Sequence, residues 1–166
     1  MVTQQIINGL ALGMGYALIA VGYSLVFGIL RLVNFSHGAV YAFGAESAML
    51  LIGMHFGVVP GIIAAMLLTG VLGIVIDKVA LEPLRKKKSP PIASLITTIG
   101  ISNIITNLLI IFLGSEKRNF PSIFGDGTIM IGKFPIAHTQ IMMFLVSVLL
   151  MAILMIIVFK TKIGLA

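Results

Sequence analysis

GIIAAMLLTGVLGIVIDKVAL, from Gly61 to Leu81, runs directly into EPLRKKKSPP, from Glu82 to Pro91, and this junction decides the fold. The first string is apolar over the roughly 20 residues that cross a bilayer core as helix. The second gathers four cations, Arg85, Lys86, Lys87 and Lys88, ahead of a Ser89-Pro90-Pro91 break. A greasy segment that stops at a basic cluster is the pattern of a membrane helix reaching the cytoplasmic side.

The same pattern repeats outward in both directions. Apolar runs at about 5–30, 38–54, 61–81, 92–113 and 138–159 predict five membrane helices, and the chain reads as an all-α polytopic bundle in a single transmembrane domain, 1–166. Composition agrees: 59% of the 166 residues are hydrophobic, 10% are charged, and mean hydropathy is +1.17, far too apolar for a soluble domain of this length. The runs are continuously apolar and do not alternate with period two, which disfavours a strand barrel. In lipid each backbone polar group must pair within its own segment, and a helix does that.

The net charge of +6 is no nucleic-acid signal, because the cations sit in short clusters at the ends of apolar runs. With Arg85–Lys88 inside, Arg31, Lys160 and Lys162 also fall inside, and Met1 and the polar segment 114–135 fall outside. Lys117, Arg118 and Lys133 are the exceptions. The chain has no cysteine, so disulfides, thiol nucleophiles and Cys-based metal sites are excluded. The N-terminus lacks a basic leader region, and the first run reads as a retained helix. Between the ends, His55–Pro60 reads as a break, Glu82–Pro91 as a loop, Gly125-Asp126-Gly127 as a turn and Thr128–Ile131 as a short strand. Gly9 and Gly13, Ala11 and Gly15, and Gly70 and Gly73 place small residues where helices could approach closely.

Polar residues at membrane depth are the candidates for function. Asn34-Phe35-Ser36-His37-Gly38 interrupts the apolar pattern, and an interrupted helix frees backbone groups that transporters use to hold solutes. The bland alternative is an elbow at the membrane surface. Glu46 lies about eight residues into the second run, near mid-depth, where an acid must be protonated, paired or facing water. Asn34, Ser36, His37 and Glu46 are therefore substrate-path candidates. His37 and Glu46 are nine residues apart, on opposite faces of a straight helix, so they form no local acid–base pair. A lone His without Cys, His or Asp at ligand spacing is a poor metal site. Lys117 and Arg118, in the long outer segment, are candidates for docking a soluble partner, against the alternative of a solvated loop. No nucleophile motif, phosphate-cradling loop or carboxylate pair is present, so no cofactor and no ATP hydrolysis by the chain are expected.

Several stretches resemble the branched-chain amino acid permeases of ABC importers. They run from Asn8-Gly9-Leu10 through Tyr16-Ala17-Leu18-Ile19-Ala20-Val21-Gly22 and Leu25-Val26-Phe27-Gly28 to Val33-Asn34-Phe35-Ser36-His37-Gly38. Glu82-Pro83-Leu84-Arg85, Ile96-Thr97-Thr98-Ile99-Gly100-Ile101-Ser102, Gly114-Ser115 with Phe120-Pro121-Ser122, and Thr161-Lys162-Ile163-Gly164-Leu165-Ala166 follow in order. Ala39 stands where relatives often carry an acid, and Glu46 where they usually carry a neutral residue. The resemblance implies the N-terminal half of a longer permease of the bacterial cytoplasmic membrane. It also implies a second permease subunit, cytoplasmic ATP-binding subunits and an external solute-binding protein as partners. Relatives that carry urea or short amides share these motifs, and a passive small-solute channel or a subunit with no path are the rival classes.

Because the chain is free of cysteine, single-cysteine variants test the orientation cleanly. Lys86→Cys and Lys117→Cys should react with a membrane-impermeant maleimide from opposite sides of sealed vesicles; labelling from one side would defeat the scheme.

Overall fold

The computed structural model describes residues 2–30, 34–116, 127–131 and 134–160. The elements are α1 (Val2–Leu30), α2 (His37–Gly53), α3 (Val58–Ile76), a π-helical turn (Asp77–Leu81), α4 (Glu82–Lys86), α5 (Pro91–Leu113), β1 (Thr128–Ile131), β2 (Phe134–Ala137) and α6 (His138–Lys160). Among the described residues four helical stretches are long and apolar enough to cross a membrane: Gln4–Leu25, Val58–Lys86, Pro91–Leu113 and His138–Ile156. α2 has 17 residues, about 25 Å at 1.5 Å each, the short end of what spans.

The chain forms two compact units. In one, α1 packs with the β1–β2 hairpin and α6. Gln4 Nε2 donates to the Pro135 carbonyl at 2.8 Å and Gln140 Nε2 donates to Asn8 Oδ1 at 2.9 Å, so α1 and α6 start at the same end. The expected strand 128–131 pairs antiparallel with β2, Thr128 opposite Ala137. Of the small-residue faces in α1, Ala11 is buried and a Cβ on Gly15 would meet Met143 Cε at 3.8 Å, whereas Gly9 and Gly13 have open space.

The other unit holds α2, α3, the π turn, α4 and α5. Ala39, Ile76 and Ile105 form its core, with Phe43, Leu72 and Leu109 against them. Most other buried side chains are small: Ala48, Ala65, Ser36, Ser47, Ser94 and Thr98. Large apolar side chains point outward instead, Phe112 being 79% exposed and Ile111 74%. That inversion suits helices that meet through small residues while lipid covers the rest.

Two expected boundaries move. Pro60 does not belong to the break before the third helix; it lies in the first turn of α3, where no donor is needed, and the break shrinks to residues 54–57. The segment 82–91 is not all loop, because the helix continues through the π turn into α4. In a straight α-helix the ring of Pro83 would meet the carbonyl of Val79. The turn widens instead, the Glu82 amide bonding to the Asp77 carbonyl five residues back. α2 and α4 end alike: His55 (φ 62) and Lys88 (φ 51) take left-handed backbone. Phe56 N–H then reaches Leu51 O and Ser89 N–H reaches Leu84 O, the six-to-one bond that closes a helix C-terminus.

The closest approach of α2 and α3 falls at Gly44 and Gly61, not at Gly70 or Gly73, which have open space. A Cβ on Gly44 would come within 2.9 Å of Thr69 Oγ1, and that hydroxyl is fixed by its 2.7 Å bond to the Ala65 carbonyl. Gly44→Ala should therefore cost about 1–3 kcal/mol by overpacking. Thr69→Ala in the same chain should restore most of it. Unfolding midpoints in a dodecyl maltoside–SDS titration check this; an unchanged midpoint for Gly44→Ala would refute the close contact.

Candidate functional site

The polar interruption folds into a compact elbow. Asn34 Oδ1 accepts from the Ser36 amide at 3.0 Å and from the Ser36 hydroxyl, while the Asn34 carbonyl receives the His37 amide at 3.5 Å. A short Asx side chain can mimic a backbone turn in this way and satisfy donors ahead of a helix. The Phe35 amide donates to Thr98 Oγ1 of α5 at 3.1 Å, and the Thr98 hydroxyl donates on to the Leu95 carbonyl at 3.0 Å. Ser36 and Thr98 are both fully buried, with Ser94 one turn away on α5. The elbow is thus keyed into α5 about 10 Å beyond the helix's start at Pro91.

Glu46 stands apart. It lies in the middle of α2 and lines a cavity of about 310 Å³ bounded by α2, α3 and α5. Phe43, Ser47 and Leu50 of α2 and Leu72 of α3 share the wall; α5 supplies Ile105, Leu108, Leu109, Phe112 and Leu113. Its Oε2 is buried with no hydrogen-bond partner among the described residues. In a low-dielectric surround such an oxygen calls for a donor. The structure therefore brings Asn34, Ser36 and His37 together at the elbow and places only Glu46, of the four path candidates, on the cavity.

Thr98 and Ser94 are residues that reading for polar interruptions passes over. The signal was present: Ser94 and Thr98 stand at i and i+4 in an otherwise apolar helix and so share a face.

At the far end of the α3–α4 helix the four basic residues divide. Arg85 grips Asp77 with both nitrogens, at 2.7 and 3.0 Å, and Lys86 pairs with Glu82 at 2.7 Å. Lys87 and Lys88 follow in the exposed turn. Eight residues of α-helix would leave Asp77 and Arg85 about 80° apart, but the wider turn absorbs roughly one residue and brings them to one face. Lys117 and Arg118 lie outside the described residues. No group of three potential metal ligands occurs among the described residues.

Long apolar helices, small buried side chains and a satisfied polar elbow define a polytopic membrane protein. The chain belongs to the family described as branched-chain amino acid transport system / permease component, which matches residues 5–166. It is similar to the high-affinity branched-chain amino acid transport system permease protein LivH of Escherichia coli K12, 34% identical over 146 residues, 82% of this chain and 45% of that one. It is also similar to the permease protein BraD of Pseudomonas aeruginosa, 33% identical over 176 residues, 97% and 56% of the two chains. LivH of Salmonella typhimurium is 35% identical over 139 residues, 78% and 44%. The chain spans about half the length of these curated relatives. No solved structure matches it.

The elbow's anchor is open to test. Thr98→Val keeps the shape but leaves the Phe35 amide without its acceptor, and should destabilise the fold by about 1–3 kcal/mol. Thr98→Ser should retain most of the stability. Equal SDS-titration midpoints for the wild type and Thr98→Val would show that the elbow is not held this way.

Proposed function

We propose that this chain is a membrane-spanning permease subunit of an ATP-driven importer that moves branched-chain amino acids inward across the bacterial cytoplasmic membrane. The observation that carries the reading is the family match over residues 5–166, together with relatives whose names specify high-affinity branched-chain amino acid transport. The geometry is compatible with it: a cavity holding one acidic side chain lies among α2, α3 and α5, in the unit whose elbow has its polar groups paired.

In this reading a second permease subunit completes the path, and cytoplasmic ATP-binding subunits bias it between two states. An external binding protein delivers the solute. The chain carries no phosphate-binding loop of its own, so ATP chemistry belongs to those partners. Ligand and ATP can drive such a bundle only through their different affinities for its two states. Lys87 and Lys88 face the cytoplasm and anionic lipid head groups, while Lys117 and Arg118 meet the binding protein outside. Glu46 lies on the solute path; the elbow at Asn34, Ser36 and His37 holds the α2 terminus that borders it.

Uptake tests this directly. In cells lacking their own high-affinity branched-chain amino acid uptake, co-expression of the chain with its permease, ATP-binding and solute-binding partners should raise radiolabelled leucine accumulation at least about tenfold. Omitting the chain or inactivating the ATP-binding subunit should abolish the gain. Leucine flux without the ATP-binding subunit would instead identify a passive channel and defeat the proposal.

A further inference from the structure

The cavity beside Glu46 has a chemistry more specific than a greasy pocket. Among the described residues its one charged wall residue is an acid, its one other polar wall residue is Ser47, and no Lys, Arg or His lines it. We propose that it binds the amino end of an aliphatic solute, with the Glu46 carboxylate as counter-ion and the apolar wall around the carbon chain. This deepens the permease reading, on which it rests for the presence of such a solute in the path.

Charge decides which polar group of the solute faces Glu46. Glu46 Oε2 is buried without a partner among the described residues, and an ammonium offers three donors to fill that place. A solute carboxylate would instead meet a like charge in a low-dielectric wall, with no cation among the described wall residues to offset it. An uncharged hydroxyl supplies one donor and no charge to balance the carboxylate.

Dimensions separate a small solute from a protein helix. The wall runs from Phe43 to Leu50 on α2 and from Ile105 to Leu113 on α5. At 1.5 Å per residue these are about 10 and 12 Å. A helix laid along the pair would need a groove nearer the roughly 30 Å of the bilayer core. The cavity begins near the middle of α2, beside Phe43 and Glu46, and extends toward the Gly53 and Leu113 ends of its two helices. A branched chain of a few carbons with its ammonium at Glu46 fits within that length.

The test compares three probes of one carbon skeleton. The purified full chain in nanodiscs of zwitterionic lipid is titrated with isopentylamine, isovalerate and isopentanol, and binding is followed by equilibrium dialysis. The amine should bind at least about tenfold more tightly than the acid or the alcohol. Glu46→Gln should remove that preference, and Glu46→Asp should retain part of it. Equal binding of all three probes by the wild type means adsorption to apolar surface, as by a lipid chain, and overturns the proposal without reference to any variant. A preference that survives Glu46→Gln, in a variant with unchanged circular dichroism, overturns it as well. Leucine uptake that requires the chain but shows no amine preference at this cavity removes the site and leaves the permease reading standing. An amine preference in a chain that uptake does not require leaves the site and removes the transport reading.

Discussion

Lipid gives two apolar helices no reason to associate, since a hydrocarbon tail solvates leucine as well as another leucine does. What remains is close van der Waals contact and the pairing of polar groups, and both are visible here. Gly44 brings α2 against Thr69, and Gly61 brings α3 against Ile52. The buried set is dominated by Ala and Ser, while most Phe and Ile side chains face outward. A soluble protein reverses that pattern, because there the large apolar side chains supply the driving force.

The same solvent sorts the polar residues. Asn34, Ser36 and Thr98 each have partners, and the described non-helical backbone ahead of α2 is bonded to α5 through the Phe35 amide. Irregular backbone at membrane depth is tolerated only when protein or a water-lined cavity receives it. The elbow therefore meets a structural requirement in full. Glu46 does not: one of its oxygens is buried and unpaired among the described residues. Of two polar features that look alike in sequence, one closes on itself and the other still calls for a donor. That difference separates packing from recognition more sharply than depth alone.

How much of this the sequence carried follows from which forces are local. Helix number and approximate span were legible because bilayer thickness imposes a length that a run of apolar residues declares. The mid-helix position of Glu46 was legible for the same reason. The neighbours of each helix were not, because a glycine in a membrane span looks the same whether another helix lies against it. Gly70 and Gly73 match the small-residue pattern as well as Gly44 and Gly61 do, yet only the latter pair are in close contact. Pro60 falls in the expected break 55–60 and Pro83 in the expected loop 82–91. Pro60 stands where no donor is used, and the helix widens by one residue ahead of Pro83. The partner of the elbow, Thr98, is 63 positions from Phe35, and no local rule reaches that far.

The widened turn has a consequence for the basic tip. Without it Arg85 would project to a different face from Asp77, and an acid at the end of a membrane span would lack its fork-shaped partner. With it, Asp77 and Arg85 close into a two-bond pair just ahead of Lys87 and Lys88. Arg85 and Lys86 are then held by acids of the same helix, and their charges are largely offset locally. Lys87 and Lys88 take part in no ion pair among the described residues. Both belong to the helix's closing turn, in which Lys88 takes the left-handed backbone that glycine usually supplies.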